Sequence, residues 1–206
     1  MYKTYFRKSS FKKDFINANI FIDLIYKYKP KKFLEVGVLE GVTARNVCEI
    51  LDRLYGGNFD YIGVDLFGLD LEENNKKEFT PISNKHSNPL KNFYYKYILK
   101  HYPNSLEGVN YLLKRFSKNI NLYKGYSKNV LKEIDFTNID FVFLDGGHSY
   151  ETVKEDLDII LKRLKKNSIL LVDDYNQNSY GVKKAVDECK NNFNHEEIGR
   201  FMLIVK

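Results

Sequence analysis

The chain contains no tryptophan, two cysteines, two methionines and four prolines in 206 residues. Two cysteines, Cys48 and Cys189, do not make a disulfide framework, and each falls on the apolar face of a predicted helix. Buried free thiols in a reducing, cytoplasmic setting are the expectation. No apolar run approaches the ~20 residues that span a bilayer, and the basic opening Met1 to Ser10 lacks the apolar stretch of a secretory signal. An arginine-rich strip is also missing. The net charge of +6 comes mostly from lysines scattered among Asn, Asp and Glu, so it does not by itself define a nucleic-acid face. Repeats and low-complexity tracts are absent. The composition, 43% hydrophobic and 29% charged, is that of a soluble globular protein, and the length suits one domain over 1–206 with a full core.

The organising stretch is Phe33-Leu-Glu-Val-Gly-Val-Leu-Glu-Gly-Val-Thr43. A short apolar run reads as a buried strand; Gly37 and Gly41 make a turn; Ala44, Val47, Cys48, Leu51 and Leu54 then recur at helical spacing. A bare turn at a helix N-terminus lets a ligand approach the main chain and offers it unpaired N–H groups. Leu39 stands where the dinucleotide fingerprint has its middle glycine, which disfavours a nicotinamide enzyme. A second strand, Tyr61 to Asp65, ends in an acid suited to the two hydroxyls of a ribose.

Around this core the chain alternates. Asp14 caps a helix through Ile16, Ile20, Leu24 and Tyr28 that Pro30 stops, with the basic segment 1–13 ahead of it. Residues 67–104 form a long polar connection carrying an aromatic helix, with Leu90, Phe93, Tyr94, Tyr97, Ile98 and His101 on one side. A connection of this length reads as a lid or binding loop, or else as a peripheral helix on the sheet. A helix from Ser105, a strand from Asn121, the strand Ile139 to Asp145, a helix from Tyr150, the strand Ile169 to Asp173, a helix around Val182 and a terminal strand Phe201 to Val205 follow. Strands alternating with helices predict a parallel sheet covered on both faces.

Two of these strands end in acids, Asp145 and Asp173-Asp174. As neighbours in a right-handed alternating fold they bring three carboxylates to one edge. Such a group repels itself unless a cation is shared, and hard oxygen ligands favour Mg²⁺ over zinc; turn-capping is the structural alternative. His148, in Asp145-Gly-Gly-His-Ser-Tyr150, is a candidate base, helix cap or ligand beside them. His86, His101 and His195 have no comparable context and read as surface or lid residues.

The ordered set Glu35-Val-Gly37…Gly41-Val-Thr43, Gly63-Val-Asp65, Gly125-Tyr-Ser127, Leu144-Asp-Gly-Gly-His-Ser-Tyr-Glu151 and Val172-Asp-Asp-Tyr175 resembles the class I S-adenosylmethionine-dependent methyltransferases. Within them it is similar to methyltransferase family 24 and to the catechol-type and macrolide-sugar O-methyltransferases. Gly181-Val-Lys-Lys-Ala-Val186 also looks like the sugar-methylating branch. The resemblance covers residues 33–206 apart from 67–104. It implies a Rossmann-like α/β sheet, mostly parallel with a terminal antiparallel strand and helices on both faces. It further implies that Glu35, Gly37, Gly41 and Thr43 line the methionine half of S-adenosylmethionine, that Asp65 holds the ribose, that Ser127 lies near the adenine, and that Asp145 adjoins the cofactor. Asp145, Asp173 and Asp174 match the family's metal ligands, with Mg²⁺ the expected ion. His148 stands where catechol-type enzymes carry a lysine base, and Gly147 where macrolide-sugar relatives carry another acid.

The expected activity is therefore Mg²⁺-assisted O-methylation of a small acceptor, a sugar or other polyhydroxylated molecule, with Asp145 and His148 as the catalytic groups. Nucleic-acid and membrane partners are not expected. Exposed aromatics of the N-terminus and lid suggest a homo-oligomer. The competing readings are a metal-independent RNA or protein methyltransferase, which predicts a contiguous basic face, and a non-catalytic methyltransferase-fold binding module. The fourth strand is not followed by an Asn/Asp-Pro-Pro-Tyr-like stretch, which argues against methylation of base amino groups.

Overall fold

The computed structural model describes residues 14–68, 88–176 and 181–206. The basic lead-in 1–13, the polar part 69–87 of the long connection, and with it His86, lie outside the described residues.

Helix α1 (Phe15–Tyr28) starts where the Asp14 carboxylate accepts from the Asn17 amide, and it ends at a left-handed Lys29 just before Pro30. Strand β1 (Lys32–Val36) feeds the glycine turn and α2 (Val42–Tyr55), whose first residue follows a left-handed Gly41. Then come β2 (Asp60–Asp65), α3 (Pro89–Phe93), α4 (Leu106–Leu112), β3 (Ile120–Lys124), α5 (Ser127–Glu133), β4 (Phe141–Leu144), α6 (Tyr150–Arg163), β5 (Ile169–Val172), α7 (Val182–Asp187), β6 (Asn194–Ile198) and β7 (Phe201–Val205). The strands form one seven-stranded sheet in the order β3-β2-β1-β4-β5-β7-β6. Pairings from β3 through β5 are parallel, whereas β7 runs antiparallel to both β5 and β6.

Because side chains alternate across a strand, each central strand serves two cores. Phe33, Tyr61, Phe141, Phe143 and Leu171 face α1, α2 and α4, where Phe21, Val47, Leu51 and Val109 meet them. Leu34, Ile62, Val142, Leu170 and Ile204 face the opposite side, against Leu131, Leu157, Ile160 and Val186 of α5, α6 and α7. Burial on both faces explains why these strands read as unbroken apolar runs. Among the described residues no helix is long and apolar enough to cross a membrane.

The terminal antiparallel strand is joined by a second, β6, so the sheet ends in a hairpin rather than a single strand. The expected aromatic helix is an α-helix only to Phe93 and continues as a π-helical stretch, Tyr94–Leu99. Leu90, Phe93, Tyr97 and Ile98 are exposed there. Cys48 and Cys189 are both buried free thiols.

Candidate active site

Parallel pairing puts the carboxyl ends of β3, β2, β1, β4 and β5 side by side, and main-chain bonds beyond the strands extend that line. The Gly125 amide donates to the Asp65 carbonyl (3.0 Å), Gly37 to Val64 (2.9 Å), Asp145 to Val36 (2.8 Å) and Asp173 to Leu144 (2.9 Å). Ser127, Asp65, Gly37, Asp145 and Asp173 therefore stand on one edge in spatial order, although the chain visits them in another. The order reverses between β1 and β4, the crevice in which open α/β sheets bind ligands. At roughly 4.8 Å per strand, the four steps from β3 to β5 span about 19 Å.

The turn after β1 is packed very tightly. A Cβ on Gly37, whose φ is +95°, would lie 1.9 Å from the Asp145 carbonyl oxygen, and one on Gly41 would lie 2.8 Å from Val109. Both glycines are thus required by contacts within the protein. Leu39 also adopts the left-handed region, at φ 51°, with its side chain in solvent. Asp65 ties this turn down: one carboxylate oxygen accepts from the amides of Val38 (2.8 Å) and Leu39 (2.9 Å), the other from Phe67 (2.7 Å). Asp65, Thr43 on the first turn of α2, and Ser127 at the start of α5 are all half-buried at the edge.

Glu35 lies elsewhere. It shares the inner face with Phe33 and accepts a hydrogen bond from the Tyr61 hydroxyl (2.7 Å). Its Oε1 is buried with no partner among the described residues. Burial raises its pKa from 4.5 to about 8, opposed by the Tyr61 bond and aided by Asp65.

At the other end of the edge, single donor atoms of Asp145, His148 and Asp174 all lie within 4.8 Å of one another. His148 Nε2 is 3.0 Å from Asp174 Oδ2. Its carbonyl accepts from the Gly181 amide (2.9 Å), which ties the loop before α6 to the start of α7. Loss of hydration, together with the negative charge of Asp173 and Asp174, pushes the Asp145 carboxyl well above the usual carboxylate range. A cleft bordered by Asp145, Gly147, His148 and Asp173 opens here.

Asp173 points to a different partner. Arg200, directly after the left-handed Gly199 and just before β7, donates from Nε and Nη2 to both of its oxygens, the second at 2.6 Å. The same Nη2 is 2.7 Å from Asp174 Oδ1. Burial raises the Asp173 pKa to about 6 against the pull of Arg200. Burial also works against the Arg200 charge, but the aspartates outweigh it and hold the guanidinium above its ordinary value. Sequence reasoning missed Arg200, since a Gly-Arg pair before a terminal strand looks like any hairpin corner.

A family model described as a methyltransferase domain matches residues 34–175, from β1 to just past the paired aspartates. The chain belongs to methyltransferase family 24. It is thereby a class I S-adenosylmethionine-dependent methyltransferase domain, and its sheet has the expected architecture. Solved structures share the fold across nearly the whole chain. The O-methyltransferase NovP matches with a TM-score of 0.62 at 16% identity, over 95% of this chain and 79% of its own. CalS11, a calicheamicin methyltransferase, gives 0.62 at 16% over 95% and 80%. TomG from Streptomyces achromogenes, an O-methyltransferase of tomaymycin synthesis solved with S-adenosylmethionine, gives 0.57 at 13% over 90% and 77%. At these identities the likeness is one of fold. No curated protein matches the sequence.

Proposed function

We propose that this family 24 domain transfers a methyl group from S-adenosylmethionine to a hydroxyl of a small polyhydroxylated acceptor, a sugar being the favoured class. The observation that carries the reading is the single sheet edge. A half-buried acid, a glycine turn at a helix N-terminus and an acid–imidazole group follow one another over about 19 Å, a length and order suited to an extended nucleoside–amino-acid ligand with its acceptor at one end. O-methyltransferases among the structural neighbours support the reaction type, and CalS11, described as a TDP-rhamnose 3'-O-methyltransferase, supports the acceptor class.

In this reading Ser127 adjoins the adenine and Asp65 takes the ribose hydroxyls. Gly37, Gly41 and Thr43 take the methionine half, and Glu35, buried on Tyr61, supports the strand that carries them. Asp145 stands at the junction of cofactor and acceptor. When bound, S-adenosylmethionine would supply an electrophilic methyl on a sulfonium: a substrate oxygen would gain the methyl and lose its proton, while the methyl–sulfur bond would break with its electron pair leaving on the thioether of S-adenosylhomocysteine. The groups able to take that proton are the Asp145 carboxylate, whose pKa is displaced upward, and the His148 imidazole. A divalent cation would supply Lewis acidity that eases this loss. Asp145, His148 and Asp174 offer it a compact donor set, while Asp173 is engaged by Arg200. The remaining task is orientation, which can supply about 7–11 kcal/mol of barrier lowering.

Calorimetric titration with S-adenosylmethionine, followed by mass spectrometry of nucleotide-sugar and phenol acceptors, tests the reading. Cofactor binding and an acceptor heavier by one methylene are expected. Absence of cofactor binding would sink it. Asp145→Ala should lower turnover by a hundredfold or more, about the weight of a lost acid–base group, while cofactor affinity changes little.

A further inference from the structure

The proposed centre presents two acids and an imidazole rather than three acids, and the cause is a residue from the far end of the chain. The guanidinium of Arg200 grips both oxygens of Asp173 and one oxygen of Asp174. A planar fork matched to a carboxylate is the geometry in which arginine binds most firmly. Its placement is built in. The Arg200 amide donates to Asn17 Oδ1 of α1 (2.9 Å), and the Arg200 carbonyl accepts from Tyr175 (2.9 Å), two residues past Asp173. The Gly199 corner leaves no room for a side chain, since a Cβ there would lie 2.1 Å from Asn17 Oδ1. The side chain of Asp173 is 1% exposed and that of Arg200 18%, so water screens this pair poorly. The other Asp174 oxygen faces His148 Nε2 at 3.0 Å.

We infer that Arg200 is an internal counter-ion that withdraws Asp173 from metal binding, leaving Asp145, Asp174 and His148 Nε2 as a mixed oxygen–nitrogen site for a borderline first-row dication such as Co²⁺, Fe²⁺ or Zn²⁺. Mg²⁺ demands oxygen ligands in near-ideal octahedral array, whereas imidazole suits the later first-row ions. Arg200 acts through Asp173 and is a positioning residue. The inference rests on the proposed methyltransferase centre and gives both Asp145 and His148 to the ligand set.

The test is direct metal binding by the whole chain, with no turnover required. Calorimetric titrations with CoCl₂ and MgCl₂ should show Co²⁺ bound at least about tenfold more tightly. Pulsed EPR of the Mn²⁺-loaded protein should show coupling to a directly bound ¹⁴N, and His148→Ala should remove it and weaken Co²⁺ about tenfold or more while moving Mg²⁺ about twofold at most. Asp173→Asn should leave Co²⁺ affinity within about twofold, and Arg200→Met, by freeing Asp173, should strengthen Mg²⁺ about tenfold. Bound Mn²⁺ without nitrogen coupling, an unchanged Co²⁺ affinity in His148→Ala, or no gain for Mg²⁺ in Arg200→Met would overturn the inference. S-adenosylmethionine titrated into each variant reports whether its fold is intact. If the wild type binds the cofactor but none of these cations, the metal centre falls and the methyltransferase reading stands. If the cofactor fails to bind, the broader reading falls whatever the metals do.

Discussion

Glu35 and Asp145 stand on neighbouring strands, and their surroundings give them different work. Glu35 is an acid in the middle of a sheet with both faces covered, and its carboxyl is held up at about 8. Between its ordinary value of 4.5 and that pKa the unfolded chain has released the proton while the folded chain keeps it. The folded state binds more protons, so stability falls as pH rises through this window, by up to ~1.4 kcal/mol per pH unit. Glu35→Gln keeps an acceptor for the Tyr61 hydroxyl and cannot ionise. Urea unfolding at about pH 5 and about pH 8 should show a smaller loss in the Gln variant, by more than ~1 kcal/mol. Equal losses in the two proteins would refute the neutral buried acid. Sequence pattern brought Glu35 into the turn motif, but the motif's wording carries no sign of which side of the sheet the carboxyl faces. That is set by Phe33 and Glu35 sharing the face that packs on α1 and α2.

At the scale of elements, the strand–turn–helix from Lys32 to Tyr55 was legible because its apolar spacing and its glycines agree. Two other elements were not. Helix α5 has seven residues and buries only Leu131, too little for a helical period. Strand β6, Asn194–Ile198, is an edge strand whose first four side chains are exposed, so no alternation marks it. Its pairing with β7 supplies what its own residues do not. In the turn itself, Leu39 looked like a departure from a glycine pattern, yet its backbone is left-handed, as a glycine's would be. Leu39→Gly should therefore raise unfolding stability by about 0.5–1 kcal/mol, the left-handed strain relieved less the added freedom of the unfolded chain. Gly37→Ala should do the opposite, because its Cβ would meet a main-chain carbonyl at 1.9 Å that side-chain motion cannot clear. A loss of about 3 kcal/mol or more, or failure to fold, is expected. An Ala variant as stable as the wild type would show that β1 and β4 can separate at their ends.

For the molecule as a whole, it was readable in the sequence that the two strands ending in Asp145 and Asp173 are neighbours with their acids at one edge, while the ion pair that divides those acids was not. Asp173 and Arg200 are joined only once the terminal hairpin has folded back beside β5. The resulting edge concentrates negative charge in a protein whose net charge is +6, so the repulsion is local. Asp145 carries most of this tension: burial and its two acidic neighbours raise its pKa, with Arg200 relieving only part. An acid whose folded pKa is raised loses stability for the fold as pH climbs past its ordinary carboxylate range. Asp145→Asn removes the charge at nearly constant shape. The metal-free variant should melt at a higher temperature than the wild type, and its advantage should widen from about pH 5 to about pH 8 while turnover is lost. Excess Co²⁺ should raise the melting temperature of the wild type, because a ligand that binds only the folded chain stabilises it. The Asn variant, short of one donor, should gain less. A variant that melts below the wild type across that pH range would mean that Asp145 holds the edge together instead of straining it.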